Sequence, residues 1–260
     1  MKKLTSSIRS STPRKLRRLI QRTGEFFGRG LDRPTERFPS IEGALATLHR
    51  LGFNPAFCID VGAFKGEWAA GFLTEFPCCH VQMIEAQPSK LENLQKLAAE
   101  RPELLSVELA LLGPTDGVTV EFSEMESGSS VFSEVSHFPR KLTSRVTTRL
   151  DTLLAGDGSR TVDFLKLDVQ GYEIEVLKGA PRALGQAKAV LLEVSFLQVN
   201  KGCPLFAEVI TFMDRAGFRA FDFFSQIRRR DGVLWATDIL FIHHDAAFQP
   251  TNVLNADNWF

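Results

Sequence analysis

The sequence predicts an α/β fold: a seven-stranded, mostly parallel sheet with helices on both faces and an antiparallel hairpin at its C-terminal end. Three observations carry this expectation. Short apolar runs alternate with helical patterns through most of the 260 residues, as in strand–helix–strand units. The runs are apolar on both faces, as buried parallel strands are. Four of them end in or near an acid, Asp60, Glu85, Asp168 and Glu193, which gathers carboxylates along the sheet edge where such folds bind ligands.

The elements follow in order. Residues 1–40 read as a basic N-terminal extension, partly disordered or helical, 41–250 as the main domain and 251–260 as a tail. From Pro13 a helix is plausible, with Leu16, Leu19, Ile20 and Phe27 roughly on one side. Ser40 caps a short helix bearing Ala44, Leu45 and Leu48, stopped at Gly52. Asn54-Pro55 turns into a first strand, 56–61, followed by a helix over 66–76 that Pro77 closes. His80–Glu85 is the second strand, and Pro88-Ser89 open a long amphipathic helix with Leu91, Leu94 and Leu97. A third strand falls near 105–110. The alternation then breaks. Val118–Phe122 alternates as a strand, 125–139 reads as a Ser/Gly-rich loop, and 146–154 leads back toward the sheet. Strand four is Val162–Asp168, followed by a helix over 172–178. Strand five is Ala189–Val194, followed by a helix near 204–216. Phe218–Phe224 and Thr237–His243 pair as a hairpin across Arg228-Arg229-Arg230-Asp231-Gly232.

Composition bounds the partners. The chain is 44% apolar and 24% charged, with no net charge. Residues 1–33 hold ten Lys/Arg against Glu25 and Asp32, and removing them from 31 of each sign leaves 21 basic and 29 acidic residues. An acidic body argues against nucleic-acid binding, and leaves the arm as the handle for an anionic surface. Peripheral contact of that arm with an anionic membrane is one expectation. A solvated tail, or a helix packed on a partner subunit, is the plainer one. No run approaches the roughly 18 apolar residues of a membrane span, and no apolar segment at the start makes a secretory signal. Cys58, Cys78, Cys79 and Cys203 show no C-x-x-C spacing, and no histidine cluster completes a metal site. No metal is expected, and a reducing, cytoplasmic setting is. The oligomeric state is not set by the sequence.

The chemistry centres on Ala56–Gly66, a strand that ends in Asp60 and turns through Gly62 and Gly66 into a helix. Such a turn brings backbone N–H groups and a carboxylate to one point. A dinucleotide fingerprint needs G-x-G-x-x-G. Here the second glycine is missing, and Asp60 stands where a pyrophosphate would be repelled. An acid there suits a ligand carrying positive charge, such as S-adenosylmethionine. A chance acid–glycine turn is the plain alternative.

The segments CIDVGAFKGEW (58–68), MIEAQP (83–88), TTRLDTLL (147–154), VDFLKLDVQGYEIEVLKGA (162–180), LLEVSF (191–196) and TDILFI (237–242) resemble the FkbM family of S-adenosylmethionine-dependent methyltransferases. The resemblance covers about residues 42–245 and implies the Rossmann-like class I methyltransferase fold. It implies that Asp60, Gly62, Ala63 and Gly66 form the first cofactor loop, with Asp60 toward the methionine end, and that Glu85 bonds the ribose hydroxyls. Asp168 ends strand four beside the place of methyl transfer. Gln170 replaces a glutamate common in the family, and a glutamine there can still bond a substrate hydroxyl. The implied reaction is O-methylation of a hydroxyl on a sugar, a glycan or another small metabolite.

Methylating an alcohol requires a base within hydrogen-bond reach. Asp168 is the first candidate and His137, in the inserted loop, the second. Glu193 is expected to hold a substrate hydroxyl or Lys166, whose stem would otherwise pack while its amine reaches water. Ser129 and Ser130 offer acceptor hydrogen bonds, with a polar loop anchored by its phenylalanines as the bland alternative. Two other function classes stand beside this one. An oxidoreductase binding NAD or a nucleotide-sugar lacks its glycine pattern and a Tyr-x-x-x-Lys pair. A fold relative that binds a ligand without catalysis is the other.

Overall fold

The computed structural model describes residues 40–125, 128–133, 139–156 and 160–250. The basic arm, the C-terminal tail and His137 lie outside the described residues. Helix α1 spans Ile41–Arg50, and the Ser40 hydroxyl accepts the Gly43 amide at 3.1 Å, the predicted N-cap. Strand β1 is Phe57–Val61, α2 Glu67–Glu75, β2 His80–Glu85, α3 Pro88–Glu100 and β3 Leu105–Leu109. After the insertion come β7, Phe164–Leu167, α5, Glu173–Lys178, α6, Pro181–Gln186, and β8, Ala189–Ser195. Helix α7, Phe206–Arg215, and the hairpin β9, Phe218–Arg228, with β10, Leu234–His243, complete the described chain. Among the described residues no helix is long and apolar enough to cross a membrane.

The main sheet has seven strands in the order β3-β2-β1-β7-β8-β10-β9. The first five run parallel, and β10 runs antiparallel to both β8 and β9. The chain steps outward from β1 to β3 and then returns to place β7 on the other side of β1. That reversal opens a crevice beyond the carboxyl ends of β1 and β7, where ligands bind in this architecture. Successive side chains alternate between two buried layers. Ile59, Val61, Leu165 and Leu167 face one layer. Cys58 and Phe164 face the other, an aromatic layer with Phe53, Phe72 and Phe76. Asp60 and Lys166 lie on this second face, directly opposite each other across the β1–β7 pair.

The insertion differs from its sequence reading. Strands β4 (Leu111–Leu112), β5 (Thr119–Glu124) and β6 (Lys141–Thr148) form a separate three-stranded sheet, ordered β4-β6-β5. Residues 141–148 therefore pair with the predicted strand near 118–122 before helix α4, Leu150–Leu153, begins. The signal was weak for a physical reason: much of this strand faces solvent, with Leu142 55% and Val146 57% exposed. Strand β9 is also longer than expected. It breaks register twice against β10 near Ser225, whose φ is +55°, so its alternation is interrupted where the prediction stopped.

Candidate active site

A cleft of about 720 Å³, mouth included, lies beyond the ends of β1, β2 and β7, with Leu111, Leu112 and Phe122 of the small sheet on its wall. That is the size of pocket that takes a nucleoside-sized ligand. Glu85 lines it and is otherwise buried. Its Oε2 accepts the Phe64 amide and its Oε1 accepts the Gln87 amide, each at 2.8 Å. Two amides from two different loops thus hold one carboxylate rigid, and each oxygen keeps a second lone pair for a donor in the cleft. This is a preorganised acceptor pair, suited to two neighbouring hydroxyls.

The glycine loop expected to hold a cofactor divides between cleft and support. Gly62 lines the cleft, but its freedom is needed by the chain itself. Its φ is +75°, and a Cβ there would stand 2.0 Å from the carbonyl oxygen of Asp168. Gly66 also has positive φ, and its missing side chain makes room for Leu97 and Leu94 of α3. Ala63 is buried in the aromatic layer. Neither Ala63 nor Gly66 lines the cleft. Asp60 does not line it either: it is fully buried, with its Oδ1 3.0 Å from Lys166 Nζ. Lys166 is correspondingly 6% exposed, so its amine does not reach water as the sequence reading had it. Its charge is met by Asp60 at 3.0 Å and faces Asp168 at 4.0 Å, in place of the expected Glu193.

At the end of β7, Asp168 lines the cleft with its side chain 44% exposed. Gln170 follows in a left-handed conformation, φ +57°. Its Nε2 donates to Asp168 Oδ1 and to Glu193 Oε2, both at 3.0 Å. One amide, with two hydrogens, therefore bridges two carboxylates that would otherwise repel. The strained turn is held by its own carbonyl, which accepts from Ser130 Oγ at 3.0 Å and from Asn200 Nδ2 at 2.7 Å. Ser129 and Ser130 both line the cleft, but their hydroxyls are engaged within the protein. Ser130 bonds Gln170, and Ser129 bonds both backbone groups of Met125. Among the described residues no three His, Cys, Asp or Glu side chains are placed to hold a metal ion.

Asp238 escaped the sequence reading, and Lys166 was read without its partner Asp60. Asp238 stands directly opposite Glu193 on β10. Burial, then Asp168, pushes its carboxyl up to about 6. Glu193 is raised by burial and then by Asp168, Glu173 and Asp238. The available signal was the polar break each makes in an apolar strand, Lys166 in FLKL and Asp238 in TDILFI.

Glu173 is the buried first-turn acid of α5. Its Oε1 accepts the amides of Val169 and Gly171, which ties the end of β7 to the helix. Burial pushes its carboxyl up to about 7 from 4.5. A folded carboxyl raised in this way binds its proton more tightly than the unfolded one. It therefore costs stability progressively as pH rises from about 4.5 to 7, by about 3 kcal/mol in all. Glu173→Gln keeps the acceptor and removes the charge. Urea melts are expected to show the variant level with wild type at pH 4.5 and about 2–3 kcal/mol more stable at pH 8. Equal curves at both pH values would place the ionisation elsewhere.

No curated protein matches this sequence. Among solved structures, a methyltransferase FkbM from Methylobacillus flagellatus KT is 15% identical with a TM-score of 0.46, covering 75% of this chain and 47% of that one. This chain thus spans about half the length of that relative. The magnesium protoporphyrin IX methyltransferase of Synechocystis PCC 6803 is 11% identical, with a TM-score of 0.47 and coverage of 78% and 77%. A putative RNA methyltransferase from Pyrococcus horikoshii is 13% identical, with a TM-score of 0.43 and coverage of 78% and 81%. The family evidence is stronger than these. The model of the methyltransferase FkbM domain matches residues 60–220, from the end of β1 into β9 and across more than half of the chain, so this protein belongs to the FkbM methyltransferase family.

Proposed function

We propose that this methyltransferase uses S-adenosylmethionine to methylate a hydroxyl group of a sugar, a glycan or another small metabolite. The observation that carries the reading is Glu85, a cleft carboxylate locked by two backbone amides at the end of β2. Its acceptor pair fits a ribose diol, and the neighbouring Gly62 leaves the backbone open to the cleft. S-adenosylmethionine, when bound, supplies a methyl group on a positively charged sulfur that a nucleophile displaces in line. The chain's own residues do the rest. Glu85 would hold the ribose, and Phe64 and Phe122 of the wall would help to keep water out. Asp168, partly exposed at the cleft, would take the proton from the acceptor hydroxyl as its oxygen becomes the nucleophile. Gln170 has both amide hydrogens on carboxylates, so its task is to hold Asp168 and Glu193, and acceptor hydroxyls fall to Asp168, since Glu193 does not line the cleft. The sugar class rests on the family, and the acidic body supports an acceptor other than a nucleic acid. The four free cysteines support a reducing, cytoplasmic setting.

Calorimetry with S-adenosylhomocysteine tests the reading. Wild type is expected to bind it and to ignore NAD. Glu85→Gln, which loses the charge and sets an amide nitrogen against a backbone donor, is expected to bind on the order of 10–100-fold more weakly. NAD binding in its place would restore the oxidoreductase alternative. Binding without methyl transfer to any of a panel of sugars and glycans would favour the non-catalytic one.

A further inference from the structure

Lys166 is a buried charge that the proposed chemistry does not use. It stands within β7, and besides Asp60 its ammonium meets the head of the cofactor loop. Nζ donates to the Gly62 carbonyl at 3.0 Å, with the Val61 carbonyl 3.5 Å away. Asp168 Oδ2 lies 4.0 Å from it, and the Trp68 ring centroid 5.9 Å. Burial opposes its charge, but Asp60 and Asp168 outweigh burial and hold it protonated. If the fold alone required filling here, an apolar pair would serve, since replacing a buried ion pair by packed apolar groups is often neutral or stabilising. The ammonium instead stands at the junction of the two halves of the site. Gly62 opens the cofactor side, Asp168 begins the acceptor side, and the two backbones touch at Gly62.

We infer that Lys166 is a positioning residue for methyl transfer, which fixes the Gly62 carbonyl and faces Asp168 so that the cofactor loop and the carboxylate keep one spacing. The inference rests on the reading of Asp168 as the base. Its charge also matters to that carboxylate. Asp168 is flanked by Asp60 from β1, Glu193 from β8, Asp238 from β10 and Glu173 from α5. Lys166 is the cation paired with it among the described residues.

The test compares Lys166→Met with Lys166→Met/Asp60→Asn. The single variant strands a buried carboxylate and can fail to fold, whereas the double variant removes both charges. Hydrogen exchange is read on the cofactor-free double variant, by comparison with wild type. Exchange at the amides of residues 62–66 is expected to rise about tenfold while α1 is unchanged. S-adenosylhomocysteine affinity is expected to fall less than turnover does. Turnover on the sugar acceptor should drop on the order of 100-fold. A folded double variant whose loop exchange and turnover match wild type overturns the inference. Should wild type bind no S-adenosylhomocysteine, the proposed function fails, and the exchange measurement still decides the role of Lys166.

Discussion

Asp168→Asn is expected to lower turnover about 10²–10⁴-fold while leaving S-adenosylhomocysteine affinity within a few-fold of wild type. The substitution preserves shape and leaves an oxygen to accept from Gln170 Nε2. It removes the one property a base must have. The hydrogen bonds of Glu85 run to the Phe64 and Gln87 amides and that of the Gly62 carbonyl to Lys166, apart from the Asp168 side chain, so affinity and turnover should separate. The measurement is transfer of a labelled methyl group to a panel of hydroxylated acceptors, beside calorimetry on the same preparations. Turnover within about fivefold of wild type would remove Asp168 from the base role.

Gly62→Ala is expected to cost about 3–5 kcal/mol, among the largest effects of a single methyl group. Two penalties add. The residue has φ +75°, where a side chain is strained, and the new Cβ would stand 2.0 Å from the Asp168 oxygen and 3.0 Å from its carbon. Both are backbone atoms at the end of a central strand, so neither can swing away. The melting temperature should fall by about 10 °C or more. Gly71 supplies the contrast. It lies inside α2 with nothing within 4 Å of its would-be Cβ, and Gly71→Ala should raise stability by about 0.5–1 kcal/mol. A Gly62→Ala variant that melts with wild type would mean that β1 and β7 approach less closely than described.

The main sheet was legible because buried parallel strands announce themselves as apolar runs, and each here ends at an acid or a turn. Glu85 was legible for the same reason. It ends its strand, which sets it at the cleft. The small sheet was hidden because Lys141–Thr148 carries mixed polar and apolar residues on a surface strand. Asp60 stands at the expected strand end, but its partner Lys166 was not legible. Its partner lies far along the chain, and nothing local to either residue says that β7 will lie beside β1. Ser129 and Ser130 show a related limit. A serine-rich loop offers hydroxyls, but only the folded backbone decides whether they face a ligand or close the loop on itself. Gln170 was read through its side chain, whereas its left-handed backbone and its twice-bonded carbonyl explain its place in the turn.

The Asp60–Lys166 rung bears on how the chain reaches its fold. Parallel strands separated by a long insertion must find their alignment late and without a connecting turn to guide them. Slipping β7 by one residue would carry Lys166 into the aliphatic layer of Ile59 and Val61 and leave Asp60 buried alone. An uncompensated buried charge costs several kcal/mol, comparable with much of a domain's net stability. The pair therefore favours the one alignment of β1 and β7 in which each charge faces its partner.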